Sequence, residues 1–303
     1  VAALLEVNHS VQTAELGNSL LRSSTDRTPR WQIAVLGIVV VWLYTPVLAK
    51  LVAQWWHDPN FSHGFFVPLF SLYVLWERRE QLTRLVNKPS WAGALILALG
   101  LMLLIVGFLG AELFLSRLSL LFVIAGLVIL FRGWEYQRAI LFPWAVLLLM
   151  IPLPSIIFNQ ITFPLQLLAS ELASFVLPWF GVPVLREGNI IQLPAMPLEV
   201  AEACSGIRSL LTLGTLAVIY GYLLERRIAV RVLLALASIP IAVSANSFRI
   251  VGTGLLVQHW DPGKAEGFFH AFSGWLMFVV SLAMLFLVHQ MIRLIFRDQG
   301  KSQ

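Results

Sequence analysis

The sequence predicts an all-α membrane protein: a polytopic bundle of about eight transmembrane helices with a short extracytoplasmic hairpin just before its one cysteine. Three observations lead there. Hydrophobic residues make up 58% of the chain and charged residues 12%, with a mean hydropathy of +0.81, whereas soluble domains are roughly half apolar and a quarter charged. A soluble fold of 303 residues has too little interior to hide that much apolar surface, so lipid is the solvent for most of it. The apolar residues come in runs close to the ~20 residues that cross a bilayer. The basic residues gather in short loops between those runs, on alternate sides.

The elements follow in order. Residues 1–30 are polar and are expected to form a flexible cytoplasmic tail. The first apolar run, Trp31 to Leu48, is longer than a signal-peptide core of about 7–15 residues and lacks a clear cleavage site, which predicts a span rather than a cleaved leader. Runs near spanning length lie at 31–49, 91–109, 114–131, 205–224, 229–245 and 271–292. Two shorter runs, 61–76 and 139–153, span with their polar flanks included. Residues 155–180 are apolar but hold Gln160, Pro164, Gln166, Glu171 and Pro178. They are expected to form an outer interfacial or re-entrant helix, because a full crossing would move every later loop to the other side. The stretch "GVPVLREGNIIQLPAMPLEV" has Gly and Pro punctuation and β-branched residues, which predicts a short extended hairpin. Residues 31–296 thus form one transmembrane domain, with tails at 1–30 and 297–303. The sequence offers no soluble domain, low-complexity segment or internal repeat.

Charge sets the orientation. One set of loops carries Arg22, Arg27, Arg30, Arg78, Arg79, Arg84, Lys88, Arg132, Arg138, Arg226, Arg227, Arg231, Arg293, Arg297 and Lys301, fifteen of the 21 basic residues. Only Lys50, Arg117, Arg186, Arg208, Arg249 and Lys264 fall in the alternate set. The excess marks the first set as cytoplasmic, with both termini on that side.

With this topology, chemically capable side chains from distant segments meet at the outer rim. Cys204 lies at the outer end of the 205–224 run, Asn246 and Arg249 just beyond the end of the 229–245 run, and His270 at the start of the last run. "FSHGFFVP" brings Ser62 and His63 to the same depth. A cysteine, a histidine and an arginine together suit acyl transfer. A thiol of pKa about 8.5 needs help to ionise near neutrality. An imidazole can take its proton and later give one to a leaving amine. A guanidinium stays charged and can hold an oxyanion. Arg208 stands one helical turn after Cys204 and can tune the thiol, and Glu202 can orient a partner.

Each residue also has a plainer reading. Lone cysteines often act as small buried hydrophobes, arginines snorkel at interfaces, and histidines satisfy helix ends. The rival function is a transporter or flippase for a polysaccharide or lipid intermediate, with Glu112, Arg117 or Glu171 marking a path; no inverted repeat supports it. A thiol redox role would need a second cysteine, and with one cysteine no intramolecular disulfide forms. No H-E-x-x-H occurs, so neither a metal nor another cofactor is expected. The charge excess reads as topology, with no nucleic-acid partner.

"LEVAEACSGIRSL", then "NSFRI" and "FFHAFSGW", resemble the exosortases, integral-membrane cysteine transpeptidases of bacteria related to the archaeosortases. "SHGFFVPLFSLYVLW" and "IPLP" at 151–154 add to the resemblance, which covers roughly residues 55 to 295. It implies that Cys204 is the nucleophile, Arg249 the family's arginine and His270 its histidine. Arg208, Asn246 and His63 match shared positions of less defined role. It further implies membrane-anchored protein substrates that end in a short Pro-Glu-Pro-like motif, a transmembrane helix and a basic tail. Such substrates are cut at the outer face of the bacterial inner membrane and passed to a surface acceptor, a polysaccharide or lipid. Arg186, Arg208 and Lys264 are then candidates to meet the acidic motif. Some members carry a further C-terminal domain, so a shorter subclass is expected here.

Overall fold

The computed structural model of the chain describes residues 30–200, 206–259 and 268–298. Nearly all of it is helical, with one small sheet. Among the described residues six helices are long and apolar enough to cross a membrane: Ala34–His57, Ala92–Leu109, Leu113–Phe131, Ser155–Phe180, Ile228–His259 and Gly274–Ile295. Two apolar helices, Leu141–Met150 and Arg208–Leu224, are shorter. The protein is therefore an all-α, multi-pass membrane protein. Residues 1–29 and 299–303, with Glu202, Cys204 and Lys264, lie outside the described residues.

The chain divides into two compact units. The first takes the chain up to Leu51 and Ser71–Leu148. Helix α1 (Arg30–His57) contributes its earlier turns, and α2 (Phe66–Glu77) its later ones. The short α3 (Arg79–Thr83), the pair α4 (Ala92–Leu109) and α5 (Leu113–Phe131), and the short α6 (Trp134–Ala139) and α7 (Leu141–Val146) complete it. The α4–α5 hairpin rests on glycine. Gly93, Gly100 and Gly107 recur every seven residues on α4 and are buried. A Cβ on Gly100 would lie 2.9 Å from the Val123 backbone nitrogen, and one on Gly107 2.7 Å from that of Ser116. Without a side chain at these positions the two backbones approach closely, as helices in lipid do when small residues line the contact. Glu112, a candidate for a transport path, instead caps α5: its carboxylate accepts from the amides of Phe114 (3.1 Å) and Leu115 (3.3 Å). Those amides have no helical partner of their own. Tyr44 of α1 meets Ser119 of α5 at 2.9 Å, inside a cluster with Leu120 and Val123.

The second unit takes Val52–Phe70 and the chain from Leu149 onward. The expected run at 61–76 is broken: residues Pro59–Phe65 form a 3-10 turn before α2. Asp58 caps this turn, accepting from the Asn60 amide at 2.9 Å, and Pro59 opens it. Gly64 packs directly on the Trp55 indole, whose Nε1 donates to the Met150 carbonyl at 3.0 Å.

Helix α8 (Ser155–Val176) carries Pro164 in its interior and continues as a 3-10 turn, Leu177–Phe180. The segment expected to be interfacial or re-entrant is therefore one continuous helix, long and apolar enough to cross by length and composition. Proline costs the helix one hydrogen bond and a local clash, and packing of Ala169, Ala173 and Leu177 into a core cluster offsets that. Gly181, with φ 77°, ends it in a left-handed turn that glycine adopts without strain. The expected hairpin follows and gains a third strand: β1 (Leu185–Glu187), β2 (Ile190–Gln192) and β3 (Pro197–Glu199) are antiparallel in the order β1-β2-β3. Ile191, Leu193, Leu198 and Val200 bury one face of the sheet against α8 and against Ile250, Val251 and Val257.

Three long helices close the chain: α9 (Gly206–Leu224), α10 (Ile228–His259) and α11 (Phe268–Asp298). Leu213 and Ala217 of α9, Leu234 and Ile241 of α10, and Leu285 and Ile292 of α11 share a second core cluster. A polar knot ties the later ends of α9 and α11. His289 Nε2 lies 2.8 Å from Glu225 Oε1, its Nδ1 lies 2.7 Å from the Tyr220 hydroxyl, and Arg293 Nε reaches the same Glu225 oxygen at 3.2 Å. His289 is buried, whereas the Arg293 side chain is 58% exposed.

Candidate active site

Of the described candidate residues, Arg208 lies on α9, Asn246 and Arg249 on α10, His270 on α11, Arg186 on β1, and Ser62 and His63 in the 3-10 turn. Val200 is the last described residue before the segment holding Glu202 and Cys204, and Gly206 opens α9 directly after it. The backbone before this gap is fixed by the sheet: the Val200 amide donates to the Asn189 carbonyl at 2.9 Å. Beyond the gap, Arg208 stands exposed in the first turn of α9.

The helix that carries Asn246 and Arg249 does not end at 245, where the hydropathy of the 229–245 run falls. The two residues lie well inside α10, which runs unbroken to His259. Both are buried, Asn246 to 8% exposure and Arg249 to 5%. The helix continues because its backbone hydrogen bonds do not depend on hydropathy, and neighbouring helices cover the polar side chains. Arg249 points at α11. A Cβ built on Gly274 would lie 3.8 Å from the guanidinium carbon and from Nη1, and 3.9 Å from Nη2. A methyl group at Gly274 would therefore just touch the guanidinium, and a larger side chain would press on it. His270 stands one turn before Gly274 on α11, and residues four apart share a helix face. The fold thus brings the Arg249 guanidinium within a helical turn of the His270 backbone.

Asn246 precedes Arg249 by three residues and shares its face of α10. Its Oδ1 is buried and has no hydrogen-bond partner. His63 is buried in the 3-10 turn, outside the six candidate spans. That turn packs against α9, the helix that follows Cys204. The His63 ring nitrogen Nε2 donates to the Leu149 carbonyl at 3.2 Å. Burial pushes the imidazole below the ordinary histidine range, against the opposing pull of that hydrogen bond, so the neutral ring is favoured. Ser62 is exposed and donates to the Pro59 carbonyl at 3.1 Å, a local turn contact. Arg186 is exposed on β1, 4.0 Å from Glu171 of α8.

The structure therefore brings Asn246, Arg249 and the His270 turn together, packs the 3-10 turn that holds His63 against α9, and leaves Ser62, Arg186 and Arg208 on the surface. Sequence reasoning missed Gly274, although its spacing from His270 in "HAFSG" is one helical turn. It also missed Thr162 and Gln166, which line a pocket with Asn246; read alone, they only lowered the hydropathy of α8.

A family model described as transmembrane exosortase matches residues 55–287. That range contains every candidate residue named above. Comparison with curated proteins returned no match, and comparison with solved structures returned none either.

Proposed function

The chain belongs to the transmembrane exosortase family, and from that premise we propose that it is a membrane-embedded cysteine peptidase and transpeptidase whose nucleophile is Cys204. Family membership supports a membrane transpeptidase-like or protease-like role and protein substrates with C-terminal sorting signals. The substrate's own transmembrane helix lies beside the bundle, so its motif reaches the active site tethered rather than free, which turns a bimolecular encounter into a nearly intramolecular one. His270 takes the Cys204 proton, and the thiolate sulfur attacks the scissile carbonyl carbon. The carbonyl oxygen gains the electron pair, and the Arg249 guanidinium holds that charge. The tetrahedral adduct collapses, the C–N bond breaks, and His270 gives its proton to the departing amine. A thioester on Cys204 remains. An acceptor hydroxyl or amine, or water, then attacks the thioester and frees the thiol. In the inner membrane the site faces outward and both termini face the cytoplasm.

One observation supports this reading most: a fully charged arginine is buried on α10 against a glycine of α11, one turn from His270. In a low-dielectric site the hold of a guanidinium on a developing oxyanion is strong. The test is co-expression with a membrane-anchored reporter ending in the motif, an apolar helix and a basic tail. Cys204→Ala is expected to abolish processing with the membrane level of the enzyme unchanged. Processing by Cys204→Ala at the wild-type rate would rule out the thiol as nucleophile.

A further inference from the structure

The later ends of α9 and α11 and the start of α10 carry arginines that the peptidase chemistry does not use. Arg226 and Arg227 form the turn between α9 and α10, and both are exposed. Arg293 of α11 stands beside that turn, because its Nε reaches Glu225, the residue that precedes it, at 3.2 Å. Val230, in the first turn of α10, and Ile292, next to Arg293, share one core cluster. The three helix ends therefore present one surface. Arg231 is spent inside it: its Nε donates to the Glu225 carbonyl at 2.7 Å, an Nη donates to the Tyr222 carbonyl at 3.3 Å, and the guanidinium lies over the Tyr222 ring. The Glu225 carboxylate is largely buried and already shared between His289 and Arg293, and the Arg293 side chain stays exposed. One carboxylate thus faces four arginines.

Exposed apolar side chains collar these charges. Leu224 on α9, Ile228 on α10 and Leu294 on α11 are each more than half exposed. In a spanning helix such residues face acyl chains, so the collar sets the arginines at the level of the headgroups. The anion within reach there is a lipid phosphate. Guanidiniums pair with phosphate oxygens through a planar fork, and each arginine near a bilayer surface strengthens the hold on an anionic headgroup about fivefold. A zwitterionic headgroup brings a cation of its own, which these arginines repel. A topology signal needs only charge in a loop. Here the charges come from two distant segments, 226–227 and 293, and converge on one surface.

We propose that this surface binds one anionic phospholipid, its phosphate among Arg226, Arg227 and Arg293 and its acyl chains against Leu224, Ile228 and Leu294. The lipid ties the α9–α10 turn to α11 from outside, as Glu225 ties them from within. It braces the far end of the helix that follows Cys204, and it is independent of how the thiol reacts.

The test is native mass spectrometry of the full chain released from detergent and titrated with phosphatidylglycerol or with phosphatidylcholine of the same acyl chains. Wild type is expected to hold the first phosphatidylglycerol at least about tenfold more tightly than phosphatidylcholine, as two or more arginines at about fivefold each require. Arg226→Gln is expected to weaken that binding about fivefold, and Arg226→Gln with Arg293→Gln about 25-fold. His289 still holds Glu225 in both variants, and an unchanged circular dichroism spectrum reports the fold. Arg84→Gln removes an exposed arginine of the first unit and is expected to bind as wild type does. Equal retention of the two lipids overturns the site. A loss with Arg84→Gln as large as that with Arg226→Gln makes the attraction diffuse and overturns it as well. Displacement of phosphatidylglycerol by an equal concentration of glycerol 3-phosphate assigns the surface to a soluble phosphate and overturns the lipid.

Discussion

Arg249 is the residue on which the proposed chemistry turns. It is buried, charged at any pH the protein meets, and fitted against a glycine. If its task is to hold an oxyanion, the planar fork matters as well as the charge. Arg249→Lys is then expected to slow reporter processing by about 10²–10³-fold, the scale for losing one oxyanion donor, with normal membrane levels. The Gly274 contact gives a graded companion. A Cβ there sits at ordinary van der Waals distance, so Gly274→Ala is expected to process within a few-fold of wild type. Gly274→Leu is expected to displace the guanidinium and to approach the Arg249→Lys rate. Equal activity of the Ala and Leu variants would show that the glycine makes no such room.

His63 offers a second test at this scale, read in stability. Burial lowers its pKa in the fold, so between the folded value and the unfolded value near 6.5 the unfolded chain binds more protons. Stability therefore rises with pH across that window and is lost as the pH falls below about 6.5. The melting temperature of the detergent-solubilised protein is expected to drop on acidification, and His63→Gln, which keeps a donor for the Leu149 carbonyl, is expected to flatten part of that slope. An unchanged slope would remove His63 from the titrating groups.

At the scale of elements, the sequence was legible where hydropathy and structure coincide and misleading where a polar residue sits inside a helix. The spans at 91–109 and 114–131 match α4 and α5 almost to the residue, because nothing polar interrupts α4 and Glu112 marks the start of α5. The extended hairpin was readable from its Gly and Pro punctuation, but not its third strand, whose pairing with β2 is tertiary. The 229–245 run was cut short at Asn246, whereas α10 goes on for 32 residues in all, about 48 Å at 1.5 Å per residue. Segment 155–180 is expected as an interfacial or re-entrant helix because a crossing would reverse every later loop, and it forms one continuous helix long enough to cross. Asn246, Thr162 and Gln166 turn inward while Gln160 and Glu171 stay exposed, a division that periodicity alone cannot reveal.

The knot at the far ends of α9 and α11 was invisible in sequence, since Tyr220, Glu225, His289 and Arg293 are scattered over seventy positions. It joins the helix that follows Cys204 to the helix that begins near His270. Glu225→Ala leaves the buried His289 nitrogen unsatisfied and is expected to cost about 1–3 kcal/mol. Arg293→Ala removes a largely exposed partner and is expected to cost under about 1 kcal/mol. Thermal unfolding of the two variants orders them, and a larger loss for Arg293→Ala would mean that the knot is held from its exposed side.

At the scale of the whole molecule, composition fixed the solvent and the apolar runs fixed the class, and both needed only sums over the chain. The family was legible in the blocks around Cys204, Arg249 and His270, which lie in one matched stretch, 55–287. What the sequence withheld is distance: which of these residues meet depends on helix packing, and Gly274 and the α8–α10 pocket emerge only there. Covalent chemistry at Cys204 can be read by mass spectrometry of enzyme trapped with the anchored reporter. Wild type is expected to carry an acyl adduct on Cys204 that hydroxylamine removes, with Arg249→Lys carrying far less. An adduct on any other residue, or processing in full with Cys204 unmodified throughout, would contradict it.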